Sequence, residues 1–182
     1  SSAASDVYKR QNLISEGAEK YGSQCIVVSV DAKKTREESW EVFSHGGRKP
    51  VGLDAVEWAI KAVQLGAGEI VLNSIDSDGT KEGYDLEITR SIIRSVDVPV
   101  VASGGAGCLE HMGEVLQDGE ADAVLAASIF HFQEYTVFDV KKFLKSNGIR
   151  VEVPALGKRI GETAISSIES STGRLPNIET VS

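Results

Sequence analysis

Apolar runs of strand length recur along this chain, separated by segments with helical spacing. The runs fall at residues 25–30 (CIVVSV), 69–75 (EIVLNSI), 98–103 (VPVVAS) and 121–128 (ADAVLAAS). Each is nearly continuous in apolar residues, which predicts a strand buried on both faces, the signature of a parallel sheet. Between them lie amphipathic segments. Residues 54–65 place Val56, Ile60 and Val63 on one stripe, residues 86–96 do the same with Ile88, Ile92 and Ile93, and residues 109–116 and 137–144 complete the set. Gly66 and Gly148 stand where helices end. A further helix over residues 13–21 precedes the first run. The predicted order is a helix followed by four strand–helix units, and such regular alternation implies a parallel sheet with right-handed crossovers.

Three stretches break the rhythm. The interval 33–52 is longer than the others, and its WEVFS segment (residues 40–44) alternates like a short extra strand before Gly46-Gly47, which predicts a hairpin inserted in a strand–helix loop. Residues 1–11 are small, polar and patternless and read as a tail, a linker or a cloning remnant. Residues 154–182 are rich in Ser, Thr, Gly and Glu, with only a weak helical stretch, and read as a poorly ordered tail.

Composition narrows the function classes. With 182 residues, 41% hydrophobic and 25% charged, the chain has the content of an ordinary globular domain. A net charge of −8 and a pI near 4.9 argue against nucleic-acid binding, which needs a basic surface to displace counterions. No run reaches the roughly 20 apolar residues of a membrane helix, and no export signal is evident. The two cysteines, Cys25 and Cys108, lack metal-ligand spacing, and a reducing, cytoplasmic setting is the expectation, with no metal and no cofactor.

Candidate chemistry gathers at the strand ends, where parallel α/β folds place their working loops. The first strand ends at Asp31, the second at Asn73-Ser74 followed by Asp76 and the turn Asp78-Gly79-Thr80, the third in S-G-G-A-G (residues 103–107), and the fourth in A-A-S (residues 126–128). The S-G-G-A-G loop lies between a strand and a helix start, so its backbone N–H groups can face an anion with the helix dipole behind them. A phosphate suits this, and a tight turn needing positive φ is the plainer reading. The small A-A-S loop beside it shifts the balance to phosphate, since barrels repeatedly place phosphate sites after their last two strands. Asp31 either exchanges protons with substrate or caps its loop and pairs with Lys33 or Lys34. Asp78-Gly79 suits a turn, and Thr80 either caps it or touches phosphate. His45 and His111 have surface-like contexts, and His131 reads more readily as a packed residue than a site residue.

Taken together, the runs SQCIVVSVDAKK, GAGEIVLNSIDSDGTKEGYD, VPVVASGGAG and ADAVLAASIFHF resemble strands five to eight of the cyclase subunit of imidazole glycerol phosphate synthase, with the similarity spanning residues 12–153. The resemblance implies a (β/α)8 barrel of TIM type, of which this chain holds the C-terminal half, about four βα units. It also implies a lyase of histidine biosynthesis. Such an enzyme uses ammonia from a glutaminase partner to convert phosphoribulosyl formimino aminoimidazole carboxamide ribonucleotide into imidazole glycerol phosphate and aminoimidazole carboxamide ribonucleotide. Carried over residue by residue, Asp31 matches a catalytic aspartate and Ser103 a substrate-contacting serine. Asp78, Gly79, Gly105, Ala127 and Ser128 match the grip on one substrate phosphate, with Thr80 and Gly104 beside them. Glu69 matches a charged gate on the ammonia passage, and Asn73 stands where some relatives carry Thr.

The family's first four strands, with a second catalytic aspartate and a second phosphate site, find no counterpart in residues 1–11. The expectation is therefore a chain nearly inactive alone, completed by an N-terminal half-barrel or by a second copy of itself. Two other readings compete. The related phosphoribosyl isomerase of the same pathway shares the I-D-S-D-G-T and S-G-G stretches, although A-A-S-I-F-H-F and G-A-G-E-I favour the cyclase. The other is a non-catalytic phosphate-binding half-barrel.

Overall fold

The computed structural model of the protein describes residues 2–36, 39–131 and 135–151. Helix α1 (Ser2–Tyr21) leads through a short 3-10 turn (Ser23–Cys25) into β1 (Val27–Arg36). Strands β2 (Ser39–Ser44) and β3 (Lys49–Asp54) follow, then α2 (Ala55–Gln64), β4 (Glu69–Ser74), α3 (Leu86–Ile93), β5 (Val100–Ser103), α4 (Leu109–Gln117), β6 (Ala123–Leu125), α5 (Ser128–His131) and α6 (Val137–Ser146). The six strands form one sheet in the order β3-β2-β1-β4-β5-β6. β1, β4, β5 and β6 are mutually parallel, and β2 and β3 pair antiparallel at one edge. This is an α/β fold with a mostly parallel sheet that does not close into a barrel among the described residues.

The predicted alternation of strands and helices is present, with shifted bounds. The first strand begins two residues late, because residues 23–25 form a turn, and runs on to Arg36 as one arm of the inserted hairpin. The fourth run yields only Ala123–Leu125 as strand, and its Ser128 already opens α5. The leading helix starts at Ser2, well before the expected residue 13, so residues read as a tail are helical. The tail at 154–182 lies outside the described residues.

The expectation that each strand is buried on both faces is corrected. In β1, Val28, Val30 and Ala32 are buried whereas Val27 and Ser29 are exposed; in β4, Ile70, Leu72 and Ser74 are buried whereas Glu69, Val71 and Asn73 are only partly covered. The helices cover one face of the sheet, and among the described residues nothing comparable covers the other. Val27 is 53% and Leu125 47% exposed, a costly display for large apolar side chains.

The covered face carries the core. One cluster gathers Val30, Ile70, Leu72, Ile88, Ile92 and Val100 with Trp40 of the hairpin, and a second gathers Ala102, Met112, Val115, Ile129, Val140 and Leu144 around α4 and α6. Helix α2 departs from its predicted stripe: Ala55, Trp58, Ala59 and Ala62 are its buried residues, with Val56 and Val63 only flanking them. Alanines at these positions let the helix axis approach the sheet closely, and Trp58 fills the space beside them. The helix starts are fixed locally. Asp54 caps α2 by accepting from Val56 N and Glu57 N, Asp85 caps α3 from Glu87 N and Ile88 N, and Thr136 with Asp139 forms a capping box on α6.

Candidate functional site

Parallel register brings the strand-end residues into line. Asp31 of β1 pairs with Asn73 of β4, Asn73 with Ser103 of β5, and Ser103 with Leu125 of β6. By the alternation of the strands these residues stand on the open face of the sheet, at its C-terminal end. The half-buried carboxylate of Asp31 accepts a hydrogen bond from Asn73 Nδ2 at 3.2 Å. The lysines that could have paired with Asp31 are drawn elsewhere: Lys33 Nζ lies 5.9 Å from the Phe43 ring centre, and Lys34 forms an ion pair with Glu87 while its backbone N–H donates to Asp76. The Asn73 side chain therefore orients the Asp31 carboxylate on the open face.

Beside this row lies a cavity of about 130 Å³, walled by Asp78 and Gly79, by residues 103–106, and by residues 125–127. Three separate loops thus converge. Of the sequence-predicted phosphate residues, the cavity gathers Asp78, Gly79, Ser103, Gly104, Gly105 and Ala127. Its described wall is mostly backbone and methyl groups, with polar side chains from Ser103 and Asp78 and no Lys or Arg among the described lining residues. A volume of this size has room for one small group the size of a tetrahedral anion.

Close backbone contact fixes the loops. Gly83 N donates to Gly105 O at 2.9 Å, and a Cβ on Gly105, whose φ is +104°, would lie 1.9 Å from Gly83 O. Gly79 also has positive φ, +76°, but faces open space. On the other side, the Tyr84 hydroxyl donates to Leu125 O at 3.1 Å, and burial pushes its pKa well above the ordinary tyrosine value.

Of the remaining predicted residues, Asn73, Thr80 and Glu69 are not among the described residues that line the cavity. Thr80 Oγ1 donates to Ser77 O at 2.8 Å and accepts from Glu82 N, which ties the hydroxyl into its own turn. Ser128 opens α5, and its side chain is outside the described part of the structure. Glu69 begins β4 beside Val27, on the same face as Asn73 but at the opposite end, about 13 Å away at the rise of a strand. His45 is exposed in the β2–β3 turn, whereas His111, expected at the surface, is half-buried with its Nδ1 accepting from Gly107 N at 3.2 Å. Leu125, Tyr84 and His111 were not singled out by the sequence as parts of this region. Small and apolar residues carry no chemical flag, and the Tyr84–Leu125 bond joins residues 41 positions apart.

Among the described residues no group of three or more His, Cys, Asp or Glu is arranged to hold a metal ion, and no helix is long and apolar enough to cross a membrane. A family model for histidine biosynthesis proteins matches residues 1–136, and the chain accordingly belongs to this family of histidine-biosynthesis pathway enzymes, whose fold is of the TIM-barrel type.

Proposed function

We propose that the chain is the C-terminal half-barrel of the cyclase subunit of imidazole glycerol phosphate synthase. The observation that carries this reading is the row Asp31, Asn73, Ser103 opening beside a cavity sized for one phosphate. Neighbouring strands lie about 4.8 Å apart, so Asp31 is about 10 Å from the cavity edge at Ser103, comparable with the length of an extended sugar phosphate. In this arrangement the cavity anchors a phosphate of the substrate, and Asp31, oriented by Asn73, exchanges protons at the far end during imine formation and ring closure. Ser103 donates to the anchored group. Glu69, on the same face at the other end of β4, suits a gate for ammonia arriving from a glutaminase, and this feature favours the cyclase over the isomerase.

General acid–base chemistry on both sides of the substrate needs a second carboxylate, which a matching N-terminal half would supply. The test combines this chain with the N-terminal half of a cyclase and offers both pathway substrates. Ammonia-dependent formation of imidazole glycerol phosphate is expected. Isomerisation alone would transfer the chain to the isomerase branch, and saturable phosphate-ester binding without any turnover would favour the non-catalytic module.

A further inference from the structure

We infer that His111 is a positioning residue for the phosphate cavity, a tie that, beside the Gly83–Gly105 hydrogen bond, holds the loop 103–107 against the loop 76–84. The inference rests on the phosphate reading given above. His111 lies on the first turn of α4, immediately beyond the S-G-G-A-G loop, and its Nδ1 accepts the backbone N–H of Gly107 at 3.2 Å. An amide nitrogen can only donate, so this geometry requires a lone pair on Nδ1 and assigns the proton of the neutral ring to Nε2. The same ring packs on the second loop: its Cδ2 is 3.7 Å from the point where a side chain on Gly83 would begin. Gly83 in turn donates to Gly105 O, and Tyr84, the next residue, donates to Leu125 O in the third loop.

One imidazole thus touches, at Gly107 and Gly83, the two loops whose other residues wall the cavity, without lining the cavity itself. A hydrogen bond from Gly107 fixes where the S-G-G-A-G backbone turns, and with it the direction of the amides that precede it. Without the acceptor, Gly107 N–H would turn to solvent and the loop would lose its register against Gly83. No described residue that lines the cavity is cationic, so anion binding depends on where the backbone amides point. An Asn at position 111 can present Oδ1 near the place of Nδ1, whereas Leu fills the space without an acceptor.

The experiment titrates the full chain with glycerol phosphate in parent, H111L and H111N forms, each checked for fold by circular dichroism. Loss of one hydrogen bond that orders the site is expected to weaken binding by H111L about five- to tenfold, with H111N within about threefold of the parent. Parent-like affinity in H111L, or H111N as weak as H111L, would overturn the role of His111 while leaving the phosphate site standing. A parent chain that binds no glycerol phosphate removes the phosphate reading and this inference together. Should H111L fail to fold, the ¹⁵N spectrum of the parent imidazole decides: an unprotonated Nδ1 with slow exchange of the Gly107 amide is expected, and a proton on Nδ1 refutes the assignment.

Discussion

Replacing Gly105 by alanine isolates the contact that locks the S-G-G-A-G loop against its neighbour. The new Cβ would lie 1.9 Å from Gly83 O, so either loop must retreat by more than about 1 Å to reach ordinary contact, and the Gly83–Gly105 hydrogen bond of 2.9 Å is lost in the retreat. Residual backbone strain at φ +104° costs about 1–3 kcal/mol, overpacking a similar amount, and the hydrogen bond about 1 kcal/mol. These terms overlap, and a loss of about 3–5 kcal/mol is expected. Gly79→Ala is the internal control. It too has positive φ, +76°, and lines the same cavity, but no atom lies within 4 Å of its would-be Cβ. Left-handed strain of about 1–2 kcal/mol, partly offset by a stiffer unfolded chain, leaves a loss of about 1 kcal/mol. For a chain of this size 1 kcal/mol shifts the melting temperature by about 2–4 °C, so thermal unfolding followed by circular dichroism should place the Gly105→Ala variant roughly 10 °C below its parent and Gly79→Ala a few degrees below. If Gly105→Ala melts within about 2 °C of the parent, or above Gly79→Ala, the interlocked-loop account is wrong.

In a barrel reassembled with an N-terminal half, Asp31→Asn should cut cyclisation by about 10²–10⁴ while phosphate-ester binding stays near the parent value, and parent-like turnover would show Asp31 to be only a loop carboxylate. Trp40 is 2% exposed and its indole N–H has no partner among the described residues, so Trp40→Phe removes a donor whose burial costs about 1–3 kcal/mol, at a comparable cost in packing. Urea unfolding should find it within about 1 kcal/mol of the parent, and a larger loss would mean that the indole N–H is satisfied. The Thr136 hydroxyl and backbone N–H hold the Asp139 carboxyl below its ordinary pKa, so its stabilisation is complete above the unfolded value of about 3.9 and is lost as pH falls through the lowered one. Asp139→Asn should therefore melt below the parent at pH 7 and converge with it in strong acid, and a pH-independent difference would contradict this linkage. The open sheet face with Val27 and Leu125 exposed should drive the isolated chain into dimers or soluble aggregates, which light scattering would detect; a cooperatively folding monomer at micromolar concentration would refute that.

Much of the secondary structure is local and therefore legible in the chain. Strand-length apolar runs, helical stripes and caps such as Asp54 and Asp85 act over a few residues, and apart from the early start of α1 the predicted strands and helices fall where those signals stand, within a few positions. Asp31, Ser103 and the glycines of S-G-G-A-G were likewise nominated by a local signal, an apolar run followed by polar or small residues. Tertiary structure decided what depends on partners distant in the sequence. Continuous apolar runs cannot show which face of the sheet is covered, since burial is set by the helices packed on it and not by the strand. Nor could α2 announce Ala55, Ala59 and Ala62 as its core side, because small residues matter there only through how closely a sheet approaches. The hydrogen bond from Asn73 to Asp31 spans 42 positions and arises from parallel register alone, and the placing of His111 under the glycine loop follows from the Gly83–Gly105 contact between two loops that share no sequence signal. Chemistry-bearing residues can be nominated by their type and local setting, but only the register of neighbouring strands and the close approach of loop backbones turn them into a site.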